Sequence, residues 1–528
     1  MPDDPREEKI RRLIKQATKT KEPAGTSTKA APNGPDHPKP PLELERQAPP
    51  SRALPQHDRL DELNHRYSVV NEAGKVWVFE WRLDPALGRQ VLDRFSFADF
   101  RRLYENERIE VVLGKKIVSK SIADVWLASP ARRQYLDGVI FDPTEKSPAT
   151  YMNLWRGFAV EPKPGDWSLM RTHIELVICN GNAEHADYVF DWLARLFQEP
   201  NSAGEVALVV RGPKGCGKGI FGRWVTAAFG HHGLQIYNSV QLVGRFNEHL
   251  RDCVVLFGDE AFYAGDKQHE GVLKGLVTEP LIAIEGKYQR VVVVRNMLHL
   301  ILASNAEWVI PATSDERRYC VFDVPDYHCG DLPYFADLVK EMESGGLAAM
   351  VYDLRRRDLS AFNVRVVPQT SGLTKQKTLS LDSAERWWLA VLARGFVWKS
   401  RYGAPYFQRW HEFYSTELLH RSYVQWCQEN RPRDPKRREE IGRLLTKIYQ
   451  SSRPRGEYPV YEVDAVDLRQ TESHYTSDGL LVKGKPLDEI AIVMQERTPG
   501  YYLGNLDQAR HQFTEKYTDL DKEWDAFG

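Results

Sequence analysis

Short apolar runs punctuate the middle of the chain: Val206-Ala-Leu-Val-Val210, Cys253-Val-Val-Leu-Phe257, His299-Leu-Ile-Leu-Ala303 and Tyr319-Cys-Val-Phe-Asp-Val324. Each is too short for a helix and lacks polar alternation, which is the pattern of strands buried on both faces. Ile220–Phe229 carries helical spacing after the first run. From about 203 to 326 the alternation of apolar strands with helical stretches predicts a parallel α/β sheet. Between the second and third runs, Leu281-Ile-Ala-Ile and Val291-Val-Val-Val-Arg295 bracket Glu285-Gly-Lys-Tyr-Gln-Arg290, the pattern of an inserted β-hairpin.

The flanks read differently. Residues 1–56 are rich in Pro and charge and nearly devoid of aromatics, so they are expected to be a disordered tail. Residues 57–200 are expected to form an α+β domain: a hairpin of Tyr67–Val70 and Lys75–Trp81 around Asn71–Gly74, a helix capped by Ser96, a short helix from Ile122, and a helix over Asp187–Phe197. The α/β core is expected over 201–368, with charged helix at Phe335–Leu359 and a polar linker at Gln369–Lys377. Helical stretches at Ala384–Leu392, Thr416–Gln428 and Arg437–Tyr449, then a strand at Tyr458–Val463, predict a helical, winged-helix-like domain over 369–528. Its run of Arg431, Arg433, Lys436, Arg437 and Arg438 is either a DNA-facing surface or a solvated helical face.

Composition narrows the classes. With 72 basic against 73 acidic residues, nucleic acid would have to be met by local patches. Six cysteines without a C-x-x-C pair argue against a zinc ribbon or a disulfide framework, and no run approaches a membrane span. A reducing cytoplasm is the expected compartment.

The chemistry starts at Gly212-Pro213-Lys214-Gly215-Cys216-Gly217-Lys218-Gly219-Ile220, a G-x-x-x-x-G-K loop between a strand and a helix. Its glycines let backbone N–H groups surround phosphate oxygens, and Lys218 supplies a point charge. Glycine stands at 219 where serine or threonine would ligate Mg²⁺, which shifts the metal onto a carboxylate elsewhere. Asp259-Glu260 ends the second strand: Asp259 suits Mg²⁺ and Glu260 suits orienting or deprotonating water. Asn305, at the tip of the third strand, can donate to phosphate and accept from water, or can be an ordinary turn asparagine. Arg317-Arg318 can stabilise a transferring phosphoryl group in a neighbouring subunit, or be solvated surface. Lys287, Tyr288 and Arg290 give the hairpin a basic–aromatic tip suited to single-stranded DNA, the competing reading being a solvated turn.

These motifs in this order resemble superfamily 3 helicases of the AAA+ class, more narrowly the helicase part of primase-helicases of phages, plasmids and other mobile elements. The resemblance rests on Gly212–Gly219, Phe246-Asn247-Glu-His-Leu250, Leu256–Ala261, Leu273–Pro280, Ile284–Lys287 and Leu302–Pro311 through Arg318. It implies a P-loop core with a pre-sensor hairpin, ATP and Mg²⁺ as cofactors, and a ring, usually a hexamer. Such a ring hydrolyses ATP between subunits and draws single-stranded DNA through its pore during replication. By motif, Lys218, Asp259, Glu260 and Asn305 serve the nucleotide, Lys287 the DNA, and Arg317 or Arg318 the neighbour's phosphate. The 57–200 domain would be an oligomerisation collar. Primase, polymerase or loader would be separate proteins, since the chain before residue 200 has no room for a primase domain. A weakly hydrolysing replication initiator that assembles on origin DNA is the alternative expectation, and a protein-remodelling ring is a third.

Overall fold

The computed structural model describes residues 56–72, 74–86, 89–113, 116–260, 270–287, 291–313, 316–397, 410–432, 434–449, 455–460, 473–475, 481–483 and 494–517. The expected N-terminal tail, apart from its last residue Gln56, and the hairpin positions Tyr288 and Arg290 lie outside these residues. The chain divides into two compact units, one drawn from 1–262, 271–305 and 323–368, the other from 263–270, 306–322 and 369–528.

The first unit opens with strands β1 (Tyr67–Glu72), β2 (Lys75–Asp84) and β3 (Arg89–Phe95). β1 and β2 are an antiparallel hairpin closed at Glu72 and Lys75, with Gly74 at a φ of 81° that favours glycine. Ser96 caps the next helix, Phe97–Leu103, by accepting from the Asp99 N–H at 3.1 Å. Tyr67, Phe100 and Trp126 pack ring edge to ring face beneath this sheet and form the first small core. A separate hairpin follows, β4 (Arg108–Leu113) with β5 (Lys116–Ser121). The short strand β6 (Gln134–Tyr135) completes a sheet of order β3-β2-β1-β6, and β7 (Gly138–Ile140) pairs in parallel with β8 (Tyr151–Asn153).

A helix over Ala183–Gln198 then buries Tyr188, Val189, Phe190, Trp192, Leu193, Leu196 and Phe197. Trp192 Nε1 donates to the Val206 carbonyl at 2.8 Å, fixing the helix at the entry of the central sheet. That sheet comprises β9 (Ala207–Arg211), β10 (Gly233–Ile236), β11 (Val255–Asp259), β14 (His299–Ser304) and β15 (Tyr319–Asp323), ordered β10-β11-β14-β9-β15 and parallel. Every residue of β14 is buried, as its unbroken apolar pattern requires. Between β11 and β14 the chain forms the helix Glu270–Thr278 and the antiparallel pair β12 (Leu281–Ile284) and β13 (Val292–Arg295). The expected hairpin is therefore present at its expected place.

In the second unit the expected linker at Gln369–Lys377 is a helix, Ser371–Ser380, with Gly372, Leu373, Gln376 and Lys377 buried. Its polarity misleads because the polar groups are used internally. Gln376 accepts from the Val309 and Ile310 N–H groups at 2.7 and 3.2 Å and donates to the Glu307 carbonyl at 2.7 Å. The helices Ser383–Arg394, Thr416–Asn430 and Arg438–Tyr449 follow, with β16 (Phe413–Ser415) before the second of them. Strands β17 (Arg455–Val460), β18 (Ser473–Tyr475), β19 (Leu481–Lys483) and β20 (Met494–Tyr502) come next, β16-β20-β17 forming an antiparallel sheet. A helix over Leu506–Lys516 closes the unit around buried Trp387, Trp388, Tyr414 and Tyr423. Among the described residues, no helix is long and apolar enough to cross a membrane.

Burial holds three histidines of the first unit neutral: His173 and His232 are pushed down to about 4 and His299 to about 3. Below the usual histidine value of about 6.5 the unfolded chain takes up protons that these rings refuse. Stability should therefore be full above pH 6.5 and fall as the pH drops towards 4; urea midpoints flat across that window would contradict the assignment.

Candidate functional site

Parallel register sets the geometry of the site. Asp259 pairs with Ala303 and Ser304 pairs with Arg211, so β11, β14 and β9 end in one row. The segments leaving those ends, Glu260, Asn305 and Gly212, consequently emerge side by side along the carboxyl edge of the sheet, where open α/β sheets bind ligands.

The loop after β9 is shaped by glycines, held at 215 and 217 by backbone conformation and at 212 and 217 by close contact. Gly215 and Gly217 have φ of 76° and 101°. A Cβ on Gly217 would lie 2.7 Å from His173 Nε2, and one on Gly212 would run into the Val324 carbonyl. The helix Lys218–Ala228 starts at the loop's end, so its first N–H groups point back at the space the loop encloses. Lys218 is 6% exposed, and its ammonium donates to the carbonyls of Gly212 and Pro213 at 2.8 and 2.6 Å and to Asn305 Oδ1 at 2.8 Å. Its fourth contact is Cys216 Sγ at 3.7 Å, and among the described residues no carboxylate pairs with this buried cation.

Asn305 connects the loop to the acidic strand. Its side chain receives Lys218, and its backbone N–H donates to Glu260 Oε1 at 2.9 Å. Glu260 Oε2 accepts from Ser304 Oγ at 3.2 Å, and the Glu260 N–H donates to the Ala303 carbonyl at 2.9 Å. Glu260 adopts a φ of 56°, a conformation that costs a side-chain-bearing residue on the order of 1 kcal/mol and turns its carboxylate back over the end of β14. Asp259 accepts from Gln235 Nε2 at 3.3 Å. Its Oδ2 lies 3.6 Å from where a Cβ on Gly219 would sit, an ordinary contact distance. Asp259 thus faces the loop at the point where the hydroxyl is missing. A carboxylate, water and phosphate oxygens together make the hard-oxygen set that Mg²⁺ requires.

Two supporting residues take roles that the sequence does not reveal. His173 stands in a π-helical turn, His173–Ile178, its Nδ1 2.9 Å from Tyr334 Oη and its Nε2 3.3 Å from the Gly217 carbonyl. It is the wall against which Gly217 rests. Asn247, within the Phe246–Leu250 motif, grips β12: its Nδ2 donates to the Ala283 carbonyl at 2.9 Å and its Oδ1 accepts from the Glu285 N–H at 2.8 Å. Asn247 therefore holds the strand that runs to exposed Lys287, beyond which the tip lies outside the described residues.

Arg317 and Arg318 belong to the second unit. Buried Glu316 accepts from both their backbone N–H groups, at 3.0 and 2.9 Å, and from the Arg318 guanidinium at 3.3 Å. Arg318 is half-buried against this carboxylate while Arg317 is exposed.

The loop geometry predicts opposite outcomes at two neighbouring glycines. Gly217→Ala should collide with His173 and abolish binding of a fluorescent ATP analogue. Gly219→Ser has room and should bind it at least as tightly as the parent. A tolerated Gly217→Ala would show that the loop is not held as described.

A family of unknown function, DUF5906, matches residues 210–318, which span the loop, the acidic pair, the hairpin and the arginine pair. No curated protein matches the chain significantly. Among solved structures, an A-form apo structure of the C-terminal region of NrS-1 matches at 15% identity with a TM-score of 0.51, covering 72% of this chain and 94% of that one. A second apo structure of that region, residues 305–718, matches at 16% identity with a TM-score of 0.49, over 72% and 94%. At this identity the likeness is one of fold: this chain and the NrS-1 C-terminal region share a mixed α/β architecture.

Proposed function

We propose that this chain is an ATP-dependent DNA helicase of the superfamily 3 type. It acts in a ring, most simply a hexamer, on single-stranded DNA during replication of a mobile element. The observation that carries the reading is the hydrogen-bonded line Lys218–Asn305–Glu260 across the level ends of β9, β14 and β11. It joins a phosphate-shaped loop to an acidic pair through one residue, and the hairpin β12–β13 is inserted into the connection between the two latter strands.

The chemistry follows from the positions. Loop N–H groups and Lys218 bind the outer phosphates of ATP, an anion that replaces the neutral acceptors now holding the ammonium. Asp259 would hold Mg²⁺, which neutralises charge between the β- and γ-phosphates. Water attacks the γ-phosphorus, the bond to the bridging oxygen breaks, ADP leaves, and the proton of the water passes to Glu260. Arg317, exposed where Arg318 is tied to Glu316, is the arginine offered to a neighbouring subunit's nucleotide. Withdrawal of Lys218 towards phosphate frees Asn305 Oδ1 for the γ-phosphate or the water. That exchange senses nucleotide at the end of the strand that follows the hairpin.

One observation favours a slower enzyme. Both Glu260 oxygens already accept from protein donors, Ser304 and Asn305, and must exchange one to hold water. A weakly hydrolysing replication initiator that assembles on origin DNA uses the same loop and predicts phosphate release indifferent to added DNA.

Lys218→Ala should abolish DNA-stimulated ATP hydrolysis and strand separation together, and normal unwinding by this variant would sink the helicase reading. Asp259→Ala should remove Mg²⁺-dependent hydrolysis while sparing the fold. Arg317→Ala should slow hydrolysis by about 10³-fold at a concentration where the protein is assembled. If Arg318→Ala alone does so in a stably folded protein, the assignment between the two arginines is reversed.

A further inference from the structure

One side-chain cluster in the first unit has the spacing of a cation site but not the chemistry. His231, His232 and Asp252 bring three ligating atoms within 4.8 Å of one another. Both nitrogens of His232 are already used, Nε2 accepting from the Arg156 N–H at 2.8 Å and Nδ1 facing the Asp252 carbonyl at 2.7 Å. No lone pair is left for a metal.

A cleft beside the hairpin carries more. It has a volume of about 510 Å³ and lies between strand β13 and the loop after β7. Its apolar wall is Val139, Phe141 and Val293, the last 63% exposed. Lys146 and Arg295 line it as well, and both are exposed. Among the described residues, neither forms an ion pair. Asp142, the acidic residue in the lining, is spent on its own loop: its carboxylate accepts from the N–H groups of Thr144, Lys146 and Ser147 at 2.9, 3.0 and 2.9 Å and from Thr144 Oγ1 at 2.6 Å. These bonds pull the carboxyl below its ordinary range despite partial burial, and they fix the turn that presents Lys146. Two unpaired cations beside an apolar, partly aromatic wall match an unstacked base with its flanking phosphates, not a duplex whose bases are closed. β13, which lines the cleft, pairs with β12, the strand that runs on to Lys287.

We infer that this cleft is a second binding subsite for single-stranded DNA, taking one nucleotide's base against Phe141 and Val293 and the adjoining phosphates on Lys146 and Arg295. The assignment rests on the DNA-acting reading above and extends it from the hairpin tip to its flank. A strand held at both places could not slip back while the tip releases.

The test is fluorescence anisotropy of a labelled oligodeoxythymidine with the full chain, at several salt concentrations. Lys146→Ala/Arg295→Ala should weaken binding about tenfold and reduce the salt slope by about 1.4, two phosphate contacts at about 0.7 each. Binding of a fluorescent ATP analogue and the melting temperature should not change, and Arg295→Lys should restore most of the slope. Unchanged affinity and slope in the double variant would overturn the subsite while leaving the helicase reading in place. Wild-type protein that binds no oligonucleotide would overturn both. Tighter binding of a duplex than of the single strand, lost in the same variant, would assign the cations to duplex backbone and overturn the base subsite.

Discussion

A buried ammonium group held, among the described residues, by neutral acceptors is the constraint on which the site depends. Lys218 is nearly sealed, and its acceptors are two carbonyls of its own loop, the amide of Asn305 and, at longer range, Cys216 Sγ. Burying a cation is tolerable only when its protons are all used, so the loop must curl until its carbonyls reach them. That curl fixes the positive φ angles of Gly215 and Gly217. It also explains why Asn305 points to the loop and leaves Glu260 to hold its backbone. One charge thereby sets the conformation of three strand ends, and an arriving anion competes for all of it.

The segment before β11 ties this centre to its surroundings. Glu248 and Arg251 pair with Arg94 and Glu72 of the N-terminal sheet, Asn247 grips β12, and β11 begins four residues after Arg251. A shift of the acidic strand is therefore shared with both the hairpin and the N-terminal sheet. Rigid connection of this kind suits a reading in which hydrolysis moves a DNA-bearing element, because packed elements transmit displacement with little loss.

What could be read in the sequence was local. Apolar runs gave the strands, the G-x-x-x-x-G-K spacing gave the loop, Ser96 gave a helix start, and two β-rich runs gave β12–β13. What stayed hidden depends on contacts distant in the chain. His173 meets Gly217 across more than forty positions, and nothing near His173 distinguishes it from a core histidine. Asn247 was legible as part of a motif, but its role depends on a strand some forty residues on. The helix Ser371–Ser380 reads as a linker because hydropathy counts Gln376 as a group needing water, whereas three backbone partners supply what water would. The likeness to the NrS-1 region bears on the architecture, and the chemistry must be argued from the side chains.

That polar helix also bears on how the chain could be divided. A composition-guided cut just after Pro368 looks harmless, since the residues that follow resemble tether more than core. Yet it would strip the Val309 and Ile310 N–H groups of their acceptor, in the very stretch that runs on to Arg317 and Arg318. The arginine pair and the segment after residue 370 are thus one piece of architecture: a fragment ending at Pro368 would keep the two N–H groups and lose the side chain that satisfies them, so a truncation meant only to shorten the chain would also loosen the support beneath Arg317 and Arg318.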